Sequence, residues 1–307
     1  MLYRGAAEFV AEVVRFIDEG VARGEAVLVV VPPAQIAWLR SALDGGPRNA
    51  EGVSFFDITE AGRNPATILP LWSDFVEQSV AAGRGFRGVG EPVWPERSAA
   101  ALVECRNHEG LLNLCFEDGP RWELLCPYDA GRLDDRTIED ALATHPRLLE
   151  HGEQQLNAAY DDASGGWLGY DDPLPPPASP HRELPFVRGS LHEVREFVAS
   201  FAEQEGAPPD RLTDLILAVN EIVANSIRYG GGSGVLSVWR EGDTFLCEVS
   251  DRGTISDPFA GRRRPTWDQF GGRGLWIANQ SCDLVQIRSR PGTTSVRLHM
   301  DVAGHVA

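Results

Sequence analysis

No apolar period, helical or strand-like, can be threaded through "SGGWLGYDDPLPPPASPHRE" at residues 164–183. Each proline removes an amide donor and restricts the residue before it, so the stretch joins neither a core helix nor a central strand. It reads as a stiff, partly extended linker. The chain therefore divides into a domain over residues 1–163, the linker, and a domain over residues 184–307. With 307 residues in all, each part is long enough to bury its own core. There is no internal repeat.

The two halves are patterned differently. In the first, a helical period at about residues 6–22 precedes the apolar run "EAVLVVV" (25–31). A helix at 34–43, a strand at 53–57 and a long helix at 65–82 follow; "GFRGVGEP" and "RWELLCPYD" read as strands, and "DDRTIEDALATHP" as a helix stopped by Pro146. Alternating elements with continuous apolar strands predict an α/β domain with a mainly parallel sheet. The second half groups a strand at 184–189 and helices at 190–204 and 209–229. Strands "GVLSVWR" and "TFLCEVSD", a short helix, and strands "LVQIRSR" and "TTSVRLHM" complete it. That grouping predicts an α+β sandwich.

Charge excludes several functions. The net charge is -17, which repels a phosphate backbone and argues against nucleic-acid binding. The chain has no lysine; all 28 of its basic side chains are arginine. A Walker A loop and a eukaryotic-type protein kinase site both need a lysine, so neither is present. Five cysteines without a CxxC pair, no apolar run of membrane-spanning length and no signal pattern predict a reduced, cytoplasmic protein.

Three segments of the second half carry chemistry. The helix "LILAVNEIVANSIRYGGG" turns Leu215, Ile216, Val219, Ile222, Val223 and Ile227 to a core, while Glu221 and Asn225 are i,i+4 neighbours on its other side. "EVSDRGTISDP" delivers Asp251 from a strand end into a loop with Gly253, and "FGGRGLWIANQSCD" opens a helix with Gly271, Gly272 and Gly274. "PGTTSVRLHM" enters the last strand through Gly292 and Thr293. A carboxylate can polarise a hydroxyl, an amide oxygen one turn on suits a hard cation, and a glycine-rich helix N-terminus offers N–H groups to phosphates without a lysine.

This combination resembles the GHKL (Bergerat-fold) ATPases, and within them the anti-sigma-factor serine/threonine kinases, over residues 184–300. "NEIVANSIRYG" is similar to the N box, "DRG" and "GGRGLWI" to the two glycine boxes, and "GTT" closes the set. The resemblance implies ATP and Mg²⁺ as cofactors. By position it implies Glu221 as general base, Asn225 as magnesium ligand and Asp251 as acceptor for the adenine amino group. It further implies Gly253 as the point of backbone approach to the base and Thr293 on the adenine side, with Gly271, Gly272 and Gly274 at the phosphates. "GRRRPTWDQF" (261–270) would be a lid whose Arg262, Arg263 and Arg264 either offset phosphate charge or stand as a solvated basic loop. Tyr229 replaces the histidine of many relatives. His192 reads as a surface residue, because one short helix cannot form a histidine kinase's dimerisation hairpin.

The first half resembles the MEDS sensory domain of methanogen and methylotroph regulators, through "GEPVW", "ECRNHEGLLN", "LCPYD" and "THP". The resemblance implies a RecA-type α/β core without a phosphate loop, since "VVVPPAQIAWL" has no glycine-lysine motif, and an unknown small-molecule ligand. Cys105, His108, Cys126 and His145 are metal-ligating types, but their apolar surroundings favour packing over a metal site. Trp94, Trp122 and Tyr128 are read as core side chains that could also line a pocket.

The reading is a sensor-regulated anti-sigma regulatory factor that binds Mg-ATP. It phosphorylates an anti-sigma antagonist on Ser/Thr, sequesters a sigma factor, or both, and it leaves room for a homodimer. The alternatives are a non-enzymatic ATP-dependent binding module and a histidine kinase-like protein.

Overall fold

In the computed structural model, which describes residues 1–44, 52–117, 119–150, 152–161, 169–266 and 272–302, the chain divides into two units, Met1–Leu168 and Gly169–Ala307.

The first unit begins β1 (Leu2–Tyr3), α1 (Gly5–Ala22), β2 (Ala26–Val31), α2 (Pro33–Asp44), β3 (Val53–Asp57), α3 (Ile58–Ala61) and α4 (Ile68–Ala81). It continues through β4 (Phe86–Gly90), α5 (Ala99–Cys115), β5 (Glu123–Leu125), β6 (Tyr128–Asp129), α6 (Asp135–Thr144), β7 (Arg147–Glu150) and β8 (Glu153–Leu156). A parallel four-stranded sheet runs in the order β3-β2-β4-β5. Its centre is β2, whose sequence AVLVVV is buried on both faces, as a strand between two helix layers must be. On one side α1 lays Phe9, Val13 and Ile17, spaced one turn apart, against Val27, Val29 and Val31. Glycines in β4 admit Trp72 of α4: a Cβ would stand 2.6 Å from its ring at Gly88 and 2.9 Å at Gly90.

The expected single strand "RWELLCPYD" is two. β5 belongs to the main sheet, whereas β6 pairs in parallel with β1, Leu2 opposite Tyr128. Pro127 lies between them and has no N–H to continue a ladder. β7 and β8 form an antiparallel pair that the periodicity did not reveal. α6 stops at Thr144, and His145 is extended (φ -117, ψ 114), as the residue before Pro146 must be.

The second unit contains β9 (Arg182–Val187), α7 (Leu191–Gln204), α8 (Pro209–Tyr229), β10 (Ser233–Glu241), β11 (Thr244–Asp251), α9 (Arg273–Ser281), β12 (Leu284–Arg290) and β13 (Thr293–Asp301). Its five-stranded sheet is antiparallel in the order β12-β13-β11-β10-β9. Alternation puts Leu236, Val238, Phe245, Cys247, Val249 and Leu298 on one face, where they are buried with Leu215, Ala218, Val219, Ile222 and Val223 of α8. Ile216 and Ile227, expected in that stripe, are only half-buried; Ala218 and Ser226 take the inner positions.

The free edge of β12 and the outer face of this sheet are covered too, by chain that the proline content marks as linker. Tyr170 is buried; its carbonyl accepts from Ser289 N (2.9 Å) and its hydroxyl donates to Pro258 O (3.0 Å). Further on, Arg297 donates to Pro175 O (2.6 Å) and Ala178 N to Glu241 Oε1 (3.2 Å). Arg297 also grips Glu248 and lies over Trp239, so a charged side chain on the outer face is satisfied although buried. Residues 169–181 thus bind the second unit through backbone groups that no hydrophobic period announces.

Candidate functional site

Glu221 and Asn225 are half-buried on α8, and the start of α9 packs directly on them. A Cβ on Gly274 would lie 2.7 Å from Asn225 Nδ2 and 3.1 Å from Glu221 Oε2, so only glycine fits without displacing the pair. Gly272, the residue before α9, is left-handed (φ 78), a conformation that costs a residue with a Cβ. No acidic side chain sits in the first turn of α9 to compete for its amides. A carboxylate, a carboxamide and a helix N-terminus therefore meet at one place. Gly271 lies outside the described residues.

Asp251 ends β11 on the helix-covered face, two residues beyond Val249. It rests on the C-terminus of α8: a Cβ on Gly230 would fall 2.3 Å from Asp251 Cγ. Asp251 Oδ1 accepts the Gly253 N–H at 2.7 Å, and Arg252 N donates to Gly230 O at 3.2 Å. Gly253 is close-packed as well, since a Cβ there would lie 3.0 Å from Gly230 Cα. Opposite Asp251 in the ladder stands Thr294, buried, with its hydroxyl 2.8 Å from Ser289 Oγ. Ser289 in turn accepts the Ile255 N–H (2.7 Å) and so anchors the loop after Asp251. Thr293 is exposed and pairs with Arg290 at the strand's outer end. The period of two turns it to the other face from Asp251. Thr294 is the neighbour that sequence reading passed over, and strand alternation counted from Leu298 back through Val296 would have found it.

In the first unit, Cys126 and His145 meet Glu109 rather than Cys105 and His108. Trp122 packs with Trp72, Phe86 and Phe116 and borders a cavity of about 880 Å³ that also reaches Glu109, Cys126 and His145. Tyr128 is buried with its hydroxyl donating to Glu109 Oε1. A second cavity, of about 330 Å³, opens where β2 and β4 end and is lined by Pro32, Trp94 and Glu91 among others. Tyr3 OH donates to Glu91 Oε1 at 2.6 Å, while Oε2 has no hydrogen-bond partner among the described residues. Burial pushes the Glu91 carboxyl up to about 8. Trp94 lies under the Arg97 guanidinium, 3.7 Å from its ring centre.

Comparison with known proteins follows the same division. Residues 1–146 match the family described as MEDS, methanogen/methylotroph, DcmR sensory domain, and residues 185–300 match the histidine kinase-like ATPase domain. The chain joins a MEDS domain to a kinase-like ATPase domain.

Among solved structures, similarity extends to the RsbU and RsbW domains of Rv1364c from Mycobacterium tuberculosis (20% identity, TM-score 0.32, 40% of this chain and 33% of that one). It extends also to the SiaB–SiaC complex from Pseudomonas aeruginosa (12%, 0.31, 39% and 88%) and the histidine kinase AdeS from Acinetobacter baumannii (14%, 0.25, 40% and 68%). The match spans about a third of the Mycobacterium chain's length. No curated protein matches this chain.

In the ATPase domain the arginines ahead of α9 are not uniformly solvated. Arg262 is 3% exposed, and Arg263 lies over the Phe259 ring at 3.9 Å. Asn279 Nδ2 on α9 donates to Gly261 O (2.9 Å), where a Cβ would meet Leu275 at 2.7 Å. The beginning of the expected lid is therefore packed onto α9, and Arg262 is buried rather than part of a solvated loop. Residues 267–270 lie outside the described residues.

Proposed function

We propose that the protein is a sensor-regulated anti-sigma regulatory factor. On this reading the ATPase domain binds Mg-ATP and phosphorylates an anti-sigma antagonist on serine or threonine, holds a sigma factor, or does both. The observation that carries it is the convergence of Glu221, Asn225 and Gly274, because a carboxylate and an amide packed on a glycine-rich helix start suit a metal-bound triphosphate. Bound Mg-ATP would supply the phosphoryl group. Glu221 would take the proton of the incoming hydroxyl, Asn225 would hold Mg²⁺, and Gly271, Gly272 and Gly274 would give the phosphates close access to backbone N–H groups. Asp251 would accept from the adenine amino group, with Gly253 beneath the base and Thr294, which stands opposite Asp251, in place of Thr293 at its edge.

For the MEDS domain the reading is a RecA-type core that has lost its phosphate loop. Only Pro32 separates β2 from α2, too short a turn to wrap a phosphate and without an N–H to offer one. A small molecule sensed by this domain would then govern the ATPase. His192 is exposed beside Glu196 (3.4 Å) on α7, which does not favour phosphohistidine chemistry.

The test is a pull-down from the native host with and without ATP, followed by labelled-ATP transfer to the captured proteins. Acid-stable phosphate on a partner is expected. Glu221→Ala should lower the rate by about 10²–10⁴ while nucleotide affinity holds. ATP-dependent capture of a sigma factor without any transfer would favour the binding module instead.

A further inference from the structure

We propose that Glu109, Cys126 and His145 form a zinc site in the MEDS domain, with one coordination position open to the adjoining cavity. Their ligand atoms all lie within 4.8 Å of one another, the one such group of three or more among the described residues. They arrive from three directions: Glu109 from α5, Cys126 from between β5 and β6, and His145 from the turn after α6. Tertiary folding alone assembles them.

The surroundings orient two of the ligands, His145 and Glu109. His145 Nδ1 is 2.7 Å from the Ala141 carbonyl, which places the proton on Nδ1 and leaves the Nε2 lone pair free to bind. That Nε2 is 3.9 Å from Glu109 Oε1. Glu109 accepts from the hydroxyls of Tyr128 and Thr144, the kind of outer support that ligating carboxylates have in metal centres. Tetrahedral zinc, with bonds of about 2.0–2.3 Å, sets neighbouring donors roughly 3.3–3.6 Å apart, so a contraction of about 1.5 Å at most completes the site. A sulfur, nitrogen and oxygen set suits zinc and disfavours Mg²⁺ or Ca²⁺. Binding transfers the Cys126 thiol proton to solvent and forms a thiolate–metal bond, with no change of oxidation state.

The cavity of about 880 Å³ borders all three side chains. Three protein ligands beside an open volume leave the fourth position for water or for an oxygen, nitrogen or sulfur donor on a small molecule. Cys105 is directed elsewhere, its Sγ 3.3 Å from Pro92 O, so it is a matched control.

The experiment titrates the purified full chain with Co²⁺, a spectroscopic stand-in for Zn²⁺, in the absence of ATP. One equivalent should produce a thiolate-to-cobalt charge-transfer band and tetrahedral d–d absorption, both removed by Zn²⁺. Cys126→Ser should abolish the charge-transfer band, and His145→Ala and Glu109→Gln should each weaken binding by at least about tenfold. Cys105→Ser should keep the whole spectrum. Circular dichroism of each variant checks folding. Wild-type protein that gives no thiolate band with Co²⁺ overturns the proposal regardless of how the variants fold. A band that survives Cys126→Ser but not Cys105→Ser overturns it equally. Neither result bears on ATP binding by the other domain.

Discussion

Replacing Gly274 with alanine inserts one methyl group between α9 and the Glu221–Asn225 pair. The new Cβ would be 2.7 Å from Asn225 Nδ2, about 0.8 Å short of the closest comfortable contact. Overpacking of this size costs about 1–3 kcal/mol, whereas alanine gains about 1 kcal/mol over glycine within a helix. The net loss of stability should therefore be small, about 0–2 kcal/mol. Function should suffer more. Asn225 and Glu221 must move by on the order of 1 Å, a misplacement that costs roughly 10²-fold in rate, and Mg-ATP affinity should fall about tenfold or more. Calorimetric titration with Mg-ATP, labelled phosphoryl transfer and thermal unfolding of Gly274→Ala measure the three quantities. A double variant adds a control: with Asn225→Ala also present the shorter clash is gone and only the 3.1 Å approach to Glu221 Oε2 remains, so most of the stability lost to Gly274→Ala should be regained. If Gly274→Ala raises the melting temperature and leaves Mg-ATP affinity unchanged, α9 does not close on the pair and the site geometry is wrong.

Asp251→Asn turns one acceptor oxygen into a donor and should impair discrimination of ATP from GTP by about 1–3 kcal/mol; identical competition by the two nucleotides before and after the change would remove Asp251 as the base reader. Glu91 gives a pH test, since its carboxyl is raised from 4.5 to about 8 by burial. Its contribution to stability is fully present below about pH 4.5 and is lost as pH rises through about 8, a change on the order of 5 kcal/mol. Glu91→Gln, which cannot ionise, should therefore gain on wild type between about pH 5 and about pH 8.5 in urea unfolding; a difference that does not vary with pH would refute the assignment.

Much of the ATPase domain was legible from its residues. α8 spans residues 209–229 as expected, because its apolar stripe and the proline at its start are local signals. β11 and β12 likewise match runs of β-branched and aromatic residues bounded by turns. Legibility fell where long-range contacts decide. Arg262 reads as a basic loop residue but is buried at the foot of α9, and Tyr170 reads as linker but seats on the sheet. Neither position lies in an amphipathic period, so composition alone assigned both to solvent.

The residue types set the chemistry by themselves. The absence of lysine, the i,i+4 spacing of Glu221 and Asn225, and glycines ahead of a short helix restricted how a nucleotide could be held, because helical periodicity and donor chemistry are local properties. Which side chains meet was decided by tertiary structure. Thr294 rather than Thr293 stands opposite Asp251 because strand register, fixed across β11 and β13, selects the face. Glu109 rather than Cys105 or His108 joins Cys126 and His145 because Pro146 forces His145 out of α6 and packing brings that turn against α5. Such convergence depends on how separate elements dock, and residue spacing along the chain carries no record of it.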